Sequence, residues 1–89
     1  MRAVITVIGK DTVGILARVS EVCARHRVNV SDVTQSILQG MFAMIMMVDI
    51  SDCDLPFTDF AEELTALGGE MGLSIHAMHE DIFNSMHRI

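Results

Sequence analysis

The sequence predicts an α+β domain of βαββαβ order. Two observations carry that reading. Apolar, β-branched runs bounded by turn residues alternate with stretches of helical periodicity, and the unit strand–helix–strand occurs twice within 89 residues. A third observation is size. A chain this short supports one core, so residues 1–89 are expected to form a single domain.

Residues 3–8 (AVITVI) read as the first strand. The segment GKDTVG, Gly9 to Gly14, reads as a turn whose two glycines permit unusual backbone angles. A first helix is expected from Thr12 or Val13 to His26, with Asp11 or Thr12 as its N-cap. Ile15, Leu16, Val19, Val22 and Cys23 recur at helical spacing, and Arg18, Glu21 and Arg25 take the other side. The second strand runs from about Val28 to Leu38, and Gln39-Gly40 forms a hairpin turn into the apolar third strand, Met41 to Ile50. Pro56 sits near the first turn of a second helix, whose stripe is Phe57, Phe60, Leu64, Leu67 and Met71. Gly68 and Gly69 are expected to weaken its last turn, and Gly72 to end it. Leu73 to His79 forms the fourth strand, and Ile82, Phe83, Met86 and Ile89 mark a short C-terminal helical tail.

Strand character assigns sheet position. The first and third strands are apolar on both faces, as central strands are, and the second is the most polar, as an edge is. The right-handed crossover rule then gives a ferredoxin-like sandwich: an antiparallel sheet of order 4-1-3-2 with both helices on one face. In the third strand the rows Phe42, Met44, Met46, Val48 and Met41, Ala43, Ile45, Met47 are both apolar. One row has no helix of its own to cover it, so a homodimer or larger homo-oligomer is expected.

Composition removes several function classes. Hydrophobic residues make up 51% of the chain, yet no apolar run approaches the length of a membrane span. The net charge is −6, with no Trp or Tyr, and nine carboxylates but no Lys or Arg lie between Asp49 and Asp81. Such a chain lacks the basic field and stacking platform of nucleic-acid binders. Cys23 and Cys53 are too few for a disulfide framework, and a first strand starting at Arg2 or Ala3 leaves no room for a signal peptide. A cytoplasmic location is expected.

The turn after the first strand is the natural place for chemistry. It lies at a helix N-terminus, where free N–H groups and the dipole favour an anion. Gly14 would let a ligand approach the backbone, and Asp11 could accept a hydrogen bond from an ammonium group, a combination that suits a zwitterion. Composition alone favours a plainer alternative, in which Asp11 caps the helix and Gly14 permits close packing. The turn has no cysteine pair for a soft metal, Lys10 does not replace the arginine fork of an anion cradle, and only Phe42 could stack on RNA. His76 and His79 are three apart on a strand and face opposite sides, so no metal site is expected. The methionines suit core or interface filling better than copper handling. No catalytic residues, cofactor or enzyme activity are expected.

At GKDTVGIL the sequence resembles the D/N-x-P-G-h-L signature of ACT domains, the regulatory modules of many amino-acid-metabolism enzymes. VNVSDVTQSILQGMFAMIMMVDI is similar to that family's second and third strands. EDIFNSMHRI resembles the end of small free-standing ACT proteins akin to the glycine-cleavage-system transcriptional repressors. The resemblance implies an amino acid held between subunits, by positions matching Asp11, Thr12, Val13, Gly14 and Ile15 of one chain and Asn29 of another. It implies ammonium binding by Asp11, carboxylate binding by backbone N–H groups near Val13 to Ile15, and a hydrogen bond from Asn29. Val13 departs from the pattern by replacing its proline. The reading that follows is a non-catalytic, amino-acid-sensing regulatory module that signals to another protein; the alternative is an interaction module whose ligand site is vestigial.

Overall fold

A computed structural model describes residues 1–10 and 12–86. The elements are β1 (Arg2–Lys10), α1 (Ile15–Arg25), β2 (Asn29–Leu38), β3 (Met41–Asp49), α2 (Phe57–Met71), β4 (Leu73–His79) and α3 (Glu80–Met86). They form one antiparallel sheet of order β2-β3-β1-β4, the ferredoxin-like arrangement expected. β1 and β3 are central, and β2 and β4 are the edges.

The register sorts side chains onto two faces, because successive residues of a strand point to opposite sides. Ala3, Ile5 and Val7 of β1 and Phe42, Met44, Met46 and Val48 of β3 are buried with Ile15, Val19, Val22 and Cys23 of α1 and Phe60, Leu64 and Leu67 of α2. The helices therefore lie on one face, α2 against β4 and α1 beside β2. The expected helix stripes face the core, with Phe57 and Met71 half-buried at the ends of α2 and Leu16 of α1 40% exposed. Arg25 Nη1 meets Glu63 Oε1 at 3.0 Å and Arg18 meets Glu70 at 3.8 Å, joining the two helices at their surface. Exposed pairs of this kind contribute ~1 kcal/mol or less each. His26, at the end of α1, stands between Asp54 (Nδ1–Oδ1 2.9 Å) and Glu63 of α2.

The opposite face is covered in part. Val4 pairs with Met47 and Met78, so it points away from α1 and α2, yet it is fully buried. α3 contacts β1 and β4, and its Glu80 is ion-paired with Arg2, another outward position of β1. The tail thus folds back over the outer face and closes it around Val4. Ile89 lies outside the described residues.

Three local expectations are corrected. β1 does not end at Ile8; pairing continues through Gly9↔Phe42 and Lys10↔Met41. Gly9 is a strand residue, and a Cβ there would stand 2.6 Å from Leu73 Cδ2 and 3.3 Å from Leu73 Cα, so its role is close packing against β4. α1 starts at Ile15, not at Thr12 or Val13, and its N-cap is Gly14 in the left-handed region (φ 86), with no side-chain cap among the described residues. Thr12 is exposed and does not cap, and Asp11 lies outside the described residues. Gly68 also differs from Gly69. α2 continues through both, but Gly68 is buried where a Cβ would lie 2.7 Å from the Leu73 carbonyl oxygen, whereas Gly69 meets nothing within 4 Å.

That contrast gives a paired test. Gly69→Ala should stabilise the fold by up to ~1 kcal/mol through helix propensity. Gly68→Ala should destabilise it by ~1–3 kcal/mol, because backbone must move to admit the methyl group. Urea denaturation of both variants checks the opposite signs.

Candidate functional site

The β1–α1 turn is built by the end of a central strand and the start of a helix. Gly14 turns the chain through a left-handed conformation, and its carbonyl accepts the Arg18 N–H at 2.9 Å, the first α1 bond. Among the described residues no side chain caps α1, and no acidic residue occupies its first turn. The leading N–H groups of α1, with the positive end of its dipole, therefore lack an anionic partner within the helix. Thr12, Val13 and Gly14 are exposed, and Val13 is 97% so. Ile15 is only 3% exposed and belongs to the core, so the accessible part of the turn is Thr12, Val13 and Gly14.

Asn29 is elsewhere. It pairs with Asp49, which pairs with Arg2, at one end of the sheet; Lys10, Met41 and Leu38 mark the other end, where the turn lies. Eight residues of extended strand separate the two ends, roughly 25 Å. Within one chain the turn and Asn29 cannot touch one molecule the size of an amino acid. Asn29 begins the open edge strand β2, a position from which it can face a second chain.

Sequence reasoning missed Asp49 as the neighbour of Asn29. The Ser51 hydroxyl, then the Ser51 N–H (2.9 Å to Oδ1), hold the Asp49 carboxyl below its usual range. The hairpin closed at Gln39-Gly40 brings Asn29 to this end of the sheet, and a register shift between Val30 and Asp32 then sets it opposite Asp49, which the turn alone does not signal. Two cavities lie apart from the turn. One of about 370 Å³ is bordered by Met1, Arg2, His79, Glu80 and Asp81. The other, about 180 Å³, runs between α1 and α2 beneath their ion pairs.

The histidines separate as their spacing predicts. His79 stacks on Phe57, ring centroids 4.3 Å apart, on the helix side, while His76 bonds Ser74 on the other face. Among the described residues no three His, Cys, Asp or Glu side chains converge as metal ligands, and no helix is long and apolar enough to cross a membrane.

The ACT domain family matches residues 2–78. A UPF0237 protein of Listeria innocua is 49% identical over 100% of this chain and 100% of its own. An ACT domain protein from Streptococcus pneumoniae is 37% identical, superposes with a TM-score of 0.80 and is covered over 93% of each chain. A glycine cleavage system transcriptional repressor shares the fold at 23% identity and a TM-score of 0.71, over 85% of this chain and 43% of its own.

The thiols stand apart from the turn. Cys23 is buried in the core, and burial pushes its thiol up to about 11 from 9.0. Two units correspond to about a hundredfold less thiolate at pH 8 than for the same group in the unfolded chain. In the folded protein a maleimide should therefore modify Cys53, half-buried at the loop before α2, well before Cys23. Peptide mass mapping after timed labelling checks the order, and denaturant should equalise the two sites.

Proposed function

Because the chain belongs to the ACT domain family, whose members are regulatory ligand-binding modules, we propose that it senses an amino acid at a site shared by two copies of itself. The observation that carries this reading is the start of α1, where Thr12, Val13 and Gly14 are exposed and, among the described residues, no side chain caps the helix and no carboxylate stands in its first turn. An α-carboxylate supplies the missing charge there, accepting hydrogen bonds from the N–H groups around Val13, Gly14 and Ile15. Asp11 accepts from the α-ammonium, and Thr12 borders the site. Asn29 of a neighbouring chain, paired edge to edge through β2, closes it. The output is a change in how the assembly meets another protein. The two free thiols suit a reducing, cytoplasmic setting.

Val13 favours a second reading. A valine exposed to 97%, in place of the family's proline, is an apolar contact rather than a ligand support. It fits an interaction module whose ligand site is vestigial.

A thermal-shift screen of the twenty amino acids separates the two. A ligand at 100 times its Kd adds about 2.7 kcal/mol of stability, a rise of roughly 10 °C or more for a domain of this size. A selective rise with one or a few amino acids is expected; a flat screen favours the interaction module. Asp11→Ala should then weaken that ligand tenfold or more in calorimetric titration, with the unfolding transition of the free protein little changed. Unchanged affinity removes Asp11 from the site.

A further inference from the structure

The outer face of the sheet has two unlike halves. At the end bearing Arg2 and Val4, α3 forms a ridge. Toward the end bearing Lys10 no described element covers the sheet. There Ile8, Met41, Ile45 and Leu38 are 52, 52, 44 and 73% exposed. The pairings Lys10↔Met41↔Leu38 and Ile8↔Ala43 place them together on the side away from α1 and α2. The ridge is itself apolar on its far side: Ile82 and Met86, one turn apart, are 52 and 66% exposed.

We propose that this face is where a second copy of the chain stacks, about a two-fold axis lying between the sheets and crossing the strands. Both α3 helices then share one middle layer, each resting on its own sheet and pressing Ile82 and Met86 onto the bare half of the other. The shape selects this axis. A two-fold axis along the strands would set ridge on ridge and leave bare half opposite bare half, whereas the crossing axis fills each step with the other's ridge. A patch contacting its own copy must be self-complementary in this way.

Charge gives the same orientation independently. The crossing axis brings Lys10 of one copy over the Arg2 end of the other, where α3 begins with Glu80 and Asp81. Lys10 makes no ion pair among the described residues, whereas Arg2 is already engaged by Glu80. The strand-parallel axis would place lysine near lysine. Area is sufficient as well. The molecule is a slab, 36 × 34 Å across and 19 Å thick, whose broad face exceeds the ~800 Å² per partner that stable interfaces bury.

Stacking is independent of edge pairing through β2, and one experiment distinguishes them. Sedimentation at low micromolar concentration is run on the full chain and on Ile45→Lys, with circular dichroism confirming the fold and Met86→Lys as the matching change on the ridge. Both substitutions should halve the mass: from four chains to two if edge pairing also holds, from two to one of 9.8 kDa if it does not. A mass unchanged by both overturns the stacking. The axis is tested by charge exchange. Lys10→Glu and Asp81→Lys should each raise the dissociation constant tenfold or more, and the double variant should restore it. Failure of the double variant to restore assembly overturns the assigned orientation.

Discussion

The rest of the structure depends on β1 lying between β3 and β4 with apolar residues on both of its faces. The inner row is apolar through Ala3, Ile5 and Val7, and the outer row sets Val4 and Ile8 among Arg2, Thr6 and Lys10, so each face presents apolar surface that requires a cover. The inner cover comes from α1 and α2, which bring Ile15, Val19, Phe60 and Leu64 onto Ile5, Val7, Met44 and Met46. Close contact needs two glycines, Gly9 in β1 and Gly68 in α2, both crowded by Leu73 at the start of β4. The thioethers of Met44 and Met46 fill what remains, a task their flexible side chains suit. The outer cover is partial, because α3 spans seven residues, about 10 Å of helix.

The charges follow from that layering without directing it. With the core apolar, the buried side chains among the described residues include no charged or polar one, and ion pairs join α1 to α2 at the surface. α1 supplies the arginines and α2 the glutamates, so the asymmetry of the sequence becomes attraction between neighbouring helices. His26 ties the end of α1 to Asp54 in the loop before α2 as well as to Glu63 within it. This fixes the far end of α1, whereas its N-terminus has no side-chain cap among the described residues.

What could be read from the sequence was whatever depends on periodicity. The four strands, the two long helices and the 4-1-3-2 order follow from two-residue and helical repeats, and from the polarity of β2 against β3. What could not be read was backbone proximity. Gly9 and Gly14 look alike in GKDTVG, yet one is a packed strand residue and the other a left-handed helix cap. The difference lies in Leu73, some sixty residues away in sequence and adjacent in space. Gly68 and Gly69 pose the same problem, since only one faces β4. For the site, the turn was legible as chemistry, but the separation of Asn29 from it required the register. A hairpin closed at Gln39-Gly40 sends Asn29 to the sheet end opposite the turn.

That separation governs how such a module can sense. A ligand held by the turn of one chain and Asn29 of another binds the assembled state and has no complete site in a lone chain. By linkage it must strengthen association by the factor with which association strengthens its own binding. An apolar face that stacks without ligand contact contributes association that no ligand alters. On the two proposals together the interfaces would have separate roles: the stacked face would set how many chains are held together at rest, and the edge, with the turn beside it, would be where occupancy changes the balance. A turn carrying Val13 in place of proline is more flexible when empty, so ordering it opposes binding. A ligand therefore has to recover that ordering entropy from contacts to both chains, which makes a response without the second chain weaker still.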